Sequence, residues 1–142
     1  MPPSSMAERP FSWPIRVYWE DTDAGGVVYH AGYLRFFERA RSEWLRARGI
    51  DQQALRDESG IGFVVRDMQI GFMAPARLDD ELEVTVTVEQ LRPASLVFSQ
   101  TVQHRHGTLL VTAGLRVACV DIARMKARLV PDELMARIRK NP

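Results

Sequence analysis

Hydrophobic positions along this chain follow two different periods. From Glu81 to Leu91 apolar and polar residues alternate, with Leu82, Val84, Val86 and Val88 set against Glu83, Thr85, Thr87 and Glu89, the period-two pattern of a half-buried strand. Over residues 33–48 the spacing changes to three and four, and Leu34, Phe37, Ala40, Trp44 and Ala47 predict one apolar stripe on a helix. Arg35, Arg39, Glu43 and Arg46 fall mostly off that stripe, with Arg39 and Glu43 spaced as an i,i+4 pair. Gly49 supplies a C-terminal stop. A strand over residues 13–19 precedes the helix, and residues 51–60 read as a short polar helix or loop. Strands are then expected over 61–72, 81–91, 96–104 and 109–120. Pro75 ends the first of these, Arg92-Pro93-Ala94-Ser95 turns the chain, and His106-Gly107 makes a tight hairpin. Pro131, Asp132 and Glu133 open a C-terminal helix.

One strand, one long helix and a meander of strands make an α+β pattern, in which the helix buries its stripe on one face of an antiparallel sheet. The length suits one domain that buries roughly two-thirds of the surface its unfolded chain exposes. With no internal repeat and no interdomain linker, residues 11–142 are expected to form a single domain behind a disordered, Pro- and Ser-bearing lead over residues 1–10.

Composition narrows the function classes. A formal net charge of +1 argues against a dedicated nucleic-acid binder. No apolar run approaches the ~18 residues needed to span a bilayer, and the N-terminus lacks the apolar centre of a signal peptide, so a cytoplasmic protein is expected. The single cysteine, Cys119, lies in an apolar strand pattern and reads as a buried thiol, which a reducing compartment permits. No Cys-x-x-Cys, His-x-x-x-His, P-loop or dinucleotide glycine motif is present, so neither a metal nor a bound cofactor is expected.

The chemistry concentrates between the first strand and the long helix, where Asp21, Asp23, Gly25, Gly26 and His30 fall within one short run. An acidic, Gly-rich turn that opens a helix can set a carboxylate beside unpaired backbone N–H donors, a site for a developing oxyanion. Acyl transfer to water needs little more than these. The same residue types also make an ordinary capped turn, and spacing alone leaves both readings open.

Arg16-Val17, Thr22-Asp23, Gly26-Val27-Val28, His30 and Tyr33 together resemble the motif of the 4-hydroxybenzoyl-CoA thioesterase family. The resemblance runs on through Phe37-Glu38-Arg39-Ala40-Arg41, the stretch from Ala74 to Asp80, Cys119-Val120-Asp121 and Met125-Lys126-Ala127-Arg128. It covers residues 11–131 and is strongest toward the Tol–Pal-associated acyl-CoA thioesterase subfamily. It implies a hotdog fold, an antiparallel sheet wrapped around a long central helix, assembled as a homodimer or homotetramer with active sites at the subunit interface. It implies acyl-CoA hydrolysis to a carboxylic acid and CoA, with CoA entering as part of the substrate.

Within that resemblance Asp23 takes the place of the catalytic carboxylate, as nucleophile or general base, and Asp21 that of a structural acceptor. His30 is a site residue by its backbone N–H, its side chain or both. Gly26 permits the turn, Tyr29 and Tyr33 line the acyl pocket or pack, and Gly62 and Phe63 face the acyl group from a partner subunit. Gly32 departs from the Asn or Ser common in related proteins and leaves the helix start uncertain by a few residues. Arg124, Lys126 and Arg128 either meet CoA phosphates or form a solvated sheet edge, and His104 and His106 read as surface residues of a hairpin. Two other readings stand beside hydrolysis: hydration of an enoyl thioester, and a binding role toward an acyl carrier protein or envelope complex with little turnover.

Overall fold

The structure, a computed structural model, describes residues 10–140, so the expected lead lies outside the described residues except for Pro10. In chain order the elements are β1 (Phe11–Arg16), α1 (Gly32–Ala47), α2 (Gln52–Ser59), β2 (Ile61–Phe72), β3 (Glu81–Leu91), β4 (Ser95–His104), β5 (Leu109–Asp121), β6 (Lys126–Ala127) and α3 (Asp132–Arg139). The strands form one antiparallel sheet in the order β1-β3-β4-β5-β2. The short β6 pairs with β5 at Val120 and Asp121, beyond the point where β4 has ended. β1 and β2 are therefore the edges.

The central helix α1 packs against β1, β3 and β4. It buries Tyr33, Phe36, Phe37, Ala40, Trp44 and Leu45. From the sheet, Leu82, Val84 and Val86 of β3 and Leu96, Phe98 and Val102 of β4 join them in the core. The alternation of β3 is thus realised, with Thr85 also buried through its hydroxyl contact with Thr101 at 2.7 Å. The expected helical stripe is partly displaced: Leu34 is 43% exposed and Ala47 is exposed, while Tyr33, Phe36 and Leu45 take the inward positions. Each helical step turns about 100°, so Leu34 cannot face the sheet when its neighbour Tyr33 does. The expected Arg39/Glu43 pair also gives way, because the Arg46 guanidinium reaches Glu43 at 2.6 Å.

β1 ends at Arg16, earlier than its apolar continuation predicts. The cause is Asp21, whose buried carboxylate accepts the Tyr18 N–H at 2.9 Å and draws Trp19–Asp21 into a 3-10 turn. Trp19 consequently stands 77% exposed. Residues 51–60 resolve as helix. Asp51 Oδ1 accepts the N–H groups of Gln53 and Ala54, and Gly60 closes α2 in the left-handed region at φ 68.

Inside the helix–sheet layer lies one polar connector. Gln100 of β4 is 1% exposed, and its amide donates to the carbonyls of Phe37 and Thr85, both at 3.2 Å. Its oxygen accepts from Arg41 Nη1 at 2.9 Å. The sequence signal is a polar residue at an inward position between Phe98 and Val102.

Candidate active site

The loop from Thr22 to Ala31 joins the 3-10 turn to α1. The Asp23 N–H donates to the Val27 carbonyl at 2.9 Å, and the Gly26 N–H returns to the Asp23 carbonyl at 3.0 Å. Closing so tight a turn puts Gly26 at φ +79, where L side chains are strained, although a Cβ there would meet open space. The Gly25 N–H donates to Asp23 Oδ1 at 2.8 Å. That bond aims the exposed carboxylate and leaves Oδ2 without a protein donor among the described residues.

Residues 76–78 clamp the loop from the side. Val28 donates to the Ala76 carbonyl at 2.9 Å, Leu78 donates to the Gly26 carbonyl at 3.3 Å, and Val27 bridges Arg77. Tyr33 secures the clamp in turn: its hydroxyl accepts the Ala76 N–H at 3.0 Å. Burial raises the pKa of this phenol, and the hydrogen bond to Ala76 offsets part of the rise. Sequence reasoning did not assign the clamp, although the stretch after Pro75 carried the family resemblance.

At the helix start, Tyr29 donates to the Asp21 carbonyl at 3.0 Å and Gly32 to the Tyr29 carbonyl at 2.7 Å. Ala31 holds the N-cap position with no side-chain cap. Among the described residues the N–H groups of His30 and Ala31 have no acceptor. The uncertainty attached to Gly32 resolves with that residue as the first of α1, where a Cβ would stand 3.4 Å from Val28 Cγ1. The His30 side chain is exposed, its ring 4.5 Å from that of Tyr29, itself 52% exposed.

Asp23, Gly26, Tyr29, His30 and Tyr33 therefore gather at one loop–helix junction. Of the two tyrosines, Tyr33 is a packing residue, 2% exposed, with its ring 5.9 Å from Phe36 and 5.8 Å from Phe72. Gly62 and Phe63 do not reach this junction within the protomer. They begin β2, at the opposite end from Phe72, where Phe63 shares a cleft with Leu45 near the far end of α1. A Cβ on Gly62 would come 2.8 Å from Ile122 Cδ1, so a larger residue there requires the Ile122 side chain to move. Asp21 behaves as the structural acceptor expected.

Arg124, Lys126 and Arg128 are exposed, and Arg128 donates to the Ser59 carbonyl at 2.6 Å, a structural engagement of the sheet end. His104 lies 3.5 Å from Asp80, and His106 is exposed. Cys119 is fully buried, and burial raises its thiol pKa while the nearby Arg128 lowers it. Among the described residues no group of His, Cys, Asp and Glu gathers as a metal site requires. No helix among them is long and apolar enough to cross a membrane.

An antiparallel sheet around a central helix is the architecture of a hotdog fold. The chain belongs to the thioesterase-like superfamily, whose profile matches residues 17–138. It is 50% identical over 130 residues to the acyl-CoA thioester hydrolase YbgC of Escherichia coli O157:H7, covering 92% of this chain and 96% of that one. It is 47% identical over 131 residues to the acyl-CoA thioesterase YbgC of Haemophilus influenzae, again covering 92% and 96%. Among solved structures, a probable thioesterase from Bartonella henselae superposes with a TM-score of 0.79 at 40% identity, covering 84% of this chain and 98% of that one.

Proposed function

We propose that the protein hydrolyses acyl-CoA thioesters, with Asp23 as the reacting carboxylate and the N–H groups of His30 and Ala31 as donors to the thioester oxygen. The observation that carries this reading is the junction itself. One carboxylate oxygen is held by Gly25 and the other is free, beside a helix start that has no cap of its own. Donors aimed at a developing oxyanion lower the barrier, and loss of one costs about a hundredfold or more in rate. A thiolate leaves readily, so one carboxylate with carbonyl polarisation is enough chemistry.

Two routes are open to Asp23. Attack on the carbonyl gives a mixed anhydride and expels CoA thiolate, and water then cleaves the anhydride. Alternatively, the carboxylate takes a proton from water as the water attacks, and CoA thiolate leaves from the tetrahedral intermediate. A single turnover in water labelled with heavy oxygen separates them, since only the first places the label in the Asp23 side chain.

The site we propose is completed by a second copy of residues 11–142, read as one hotdog domain. β2 is a 12-residue edge strand with Val64 and Val65 36% and 41% exposed, and Phe72 and Met73 beyond half exposed. So long an apolar edge invites pairing. Antiparallel pairing of two β2 strands about their middle brings Gly62 and Phe63 of the partner subunit beside Phe72, and so toward Tyr33 and the Asp23 loop. The separation of Phe63 from Asp23 within one protomer supports this assembly, as a dimer or as a tetramer of such dimers. We read the protein as cytoplasmic, with a Tol–Pal association and an acyl carrier protein as candidate contexts.

The test is thiol release from short, long and aromatic acyl-CoAs by wild type and Asp23→Ala. Turnover falling at least a hundredfold in the variant, with its melting temperature unchanged, is expected. Wild-type turnover in the variant would remove Asp23 from the chemistry.

A further inference from the structure

A cleft of about 350 Å³ opens between the C-terminal half of α1 and the sheet. Its walls are mainly apolar, from Leu45, Phe63, Leu96, Phe98 and Val117, and Arg41 and Glu38 both border it. This guanidinium is mostly buried, and desolvation lowers its pKa, with Glu38 opposing that shift. Among the described residues its one side-chain hydrogen bond goes to the neutral, 1% exposed Gln100, which is itself locked to the carbonyls of Phe37 and Thr85. Among the described residues no carboxylate lies in salt-bridge range of Arg41; Glu38 acts on it only from a distance. A guanidinium held on one side by Gln100 presents its remaining donors to the cleft as a fork that suits a carboxylate. The cleft thus offers an apolar bed ending in a guanidinium that, among the described residues, makes no direct salt bridge, with Glu38 at the same rim.

The cleft does not belong to Asp23 of the same chain. Arg41 stands about 14 Å along the helix axis from Gly32, at 1.5 Å per residue. Pairing of the β2 edges, however, carries Phe63 to the helix start of the partner subunit, so the cleft opens toward the partner's Asp23. We infer that the cleft receives the far end of the acyl group attacked by Asp23 of the partner subunit, and that Arg41 selects acyl chains ending in a carboxylate. This rests on the thioesterase reading and on the paired assembly proposed above. Arg41 is a specificity residue in this arrangement, remote from the reacting carbonyl.

The experiment compares octanoyl-CoA with suberyl-CoA, its counterpart ending in a carboxylate, in wild type, Arg41→Met and Arg41→Lys. Arg41→Met is expected to lower kcat/KM for suberyl-CoA at least tenfold and to leave octanoyl-CoA within about threefold. Arg41→Lys, which keeps the charge, should restore part of the difference. Equal losses on both substrates, or none on either, would overturn the inference.

Dimers co-refolded from Asp23→Ala and Arg41→Met chains add a second readout. If the cleft serves the partner, each mixed dimer contains one site with both lesions and one with neither. Suberyl-CoA turnover then rises above that of Arg41→Met alone, whereas no rise refutes the sharing between subunits. Should wild type hydrolyse no thioester, the thioesterase reading fails separately, and free suberate decides the cleft. Stabilisation of wild type but not of Arg41→Met against heat supports it, and no stabilisation of wild type ends it.

Discussion

Tyr33 shows how a single side chain can brace a loop from beneath. Its hydroxyl accepts the Ala76 N–H, and the Ala76 carbonyl accepts the Val28 N–H, so the phenol anchors the segment that braces the Asp23 turn. Tyr33→Phe leaves a buried backbone donor without its acceptor, which costs about 1–3 kcal/mol. The expected result is a lowered denaturation midpoint, together with a fall in kcat as the clamp loosens. Asp21 works similarly through backbone, fixing the turn that precedes the loop. Both roles are mechanical, which explains why their contribution resists reading from residue type: a tyrosine or a carboxylate near a catalytic motif looks like chemistry until its partners are seen. The position of Asp23 and His30 at the loop–helix junction was legible because a motif of fixed spacing carried them. Gly62 and Phe63 were legible only as strand residues, and on the proposed assembly their relation to the Asp23 loop would depend on a second chain.

Among the elements, β3 was the easiest to read, because one face is buried and the period-two pattern leaves no freedom of register. α1 was read in the right place but with its buried face rotated. Leu34 is as apolar as any core residue, and only the sheet decides that Tyr33 and Phe36 point inward. Substitution separates the two faces. Phe37→Ala empties a fully buried position and should cost about 3–5 kcal/mol, whereas Leu34→Lys should stay within about 0.5 kcal/mol in the protomer. Urea denaturation of the two variants makes the comparison. β1 was read too far along the chain, missing Phe11 and Ser12 and running on to Trp19, because Tyr18 and Trp19 continue its apolar composition and nothing local announces the carboxylate that bends them away.

At the scale of the whole molecule, the proposed assembly rests on the β2 edge. Val65→Lys places like charges near the axis of the proposed pair, and sedimentation should show a shift toward monomer with loss of turnover. The response to alkali follows from two buried neutral groups. The pKa values of the Cys119 thiol and the Tyr33 phenol are raised in the folded chain, chiefly by burial. The stability each confers is complete below its unfolded pKa and is lost as pH rises through the folded value. The urea midpoint should therefore fall from about pH 8.5 upward, where an exposed thiol begins to ionise, and Cys119→Ala should flatten the first part of that fall. The uncapped start of α1 has a final consequence. A helix that begins with unspent donors is a helix left unfinished, and on the proposed reading the thioester oxygen finishes it. Folding and catalysis would then share one set of hydrogen bonds: the substrate lends the missing cap for the length of a turnover, and the enzyme is most completely folded while it is at work.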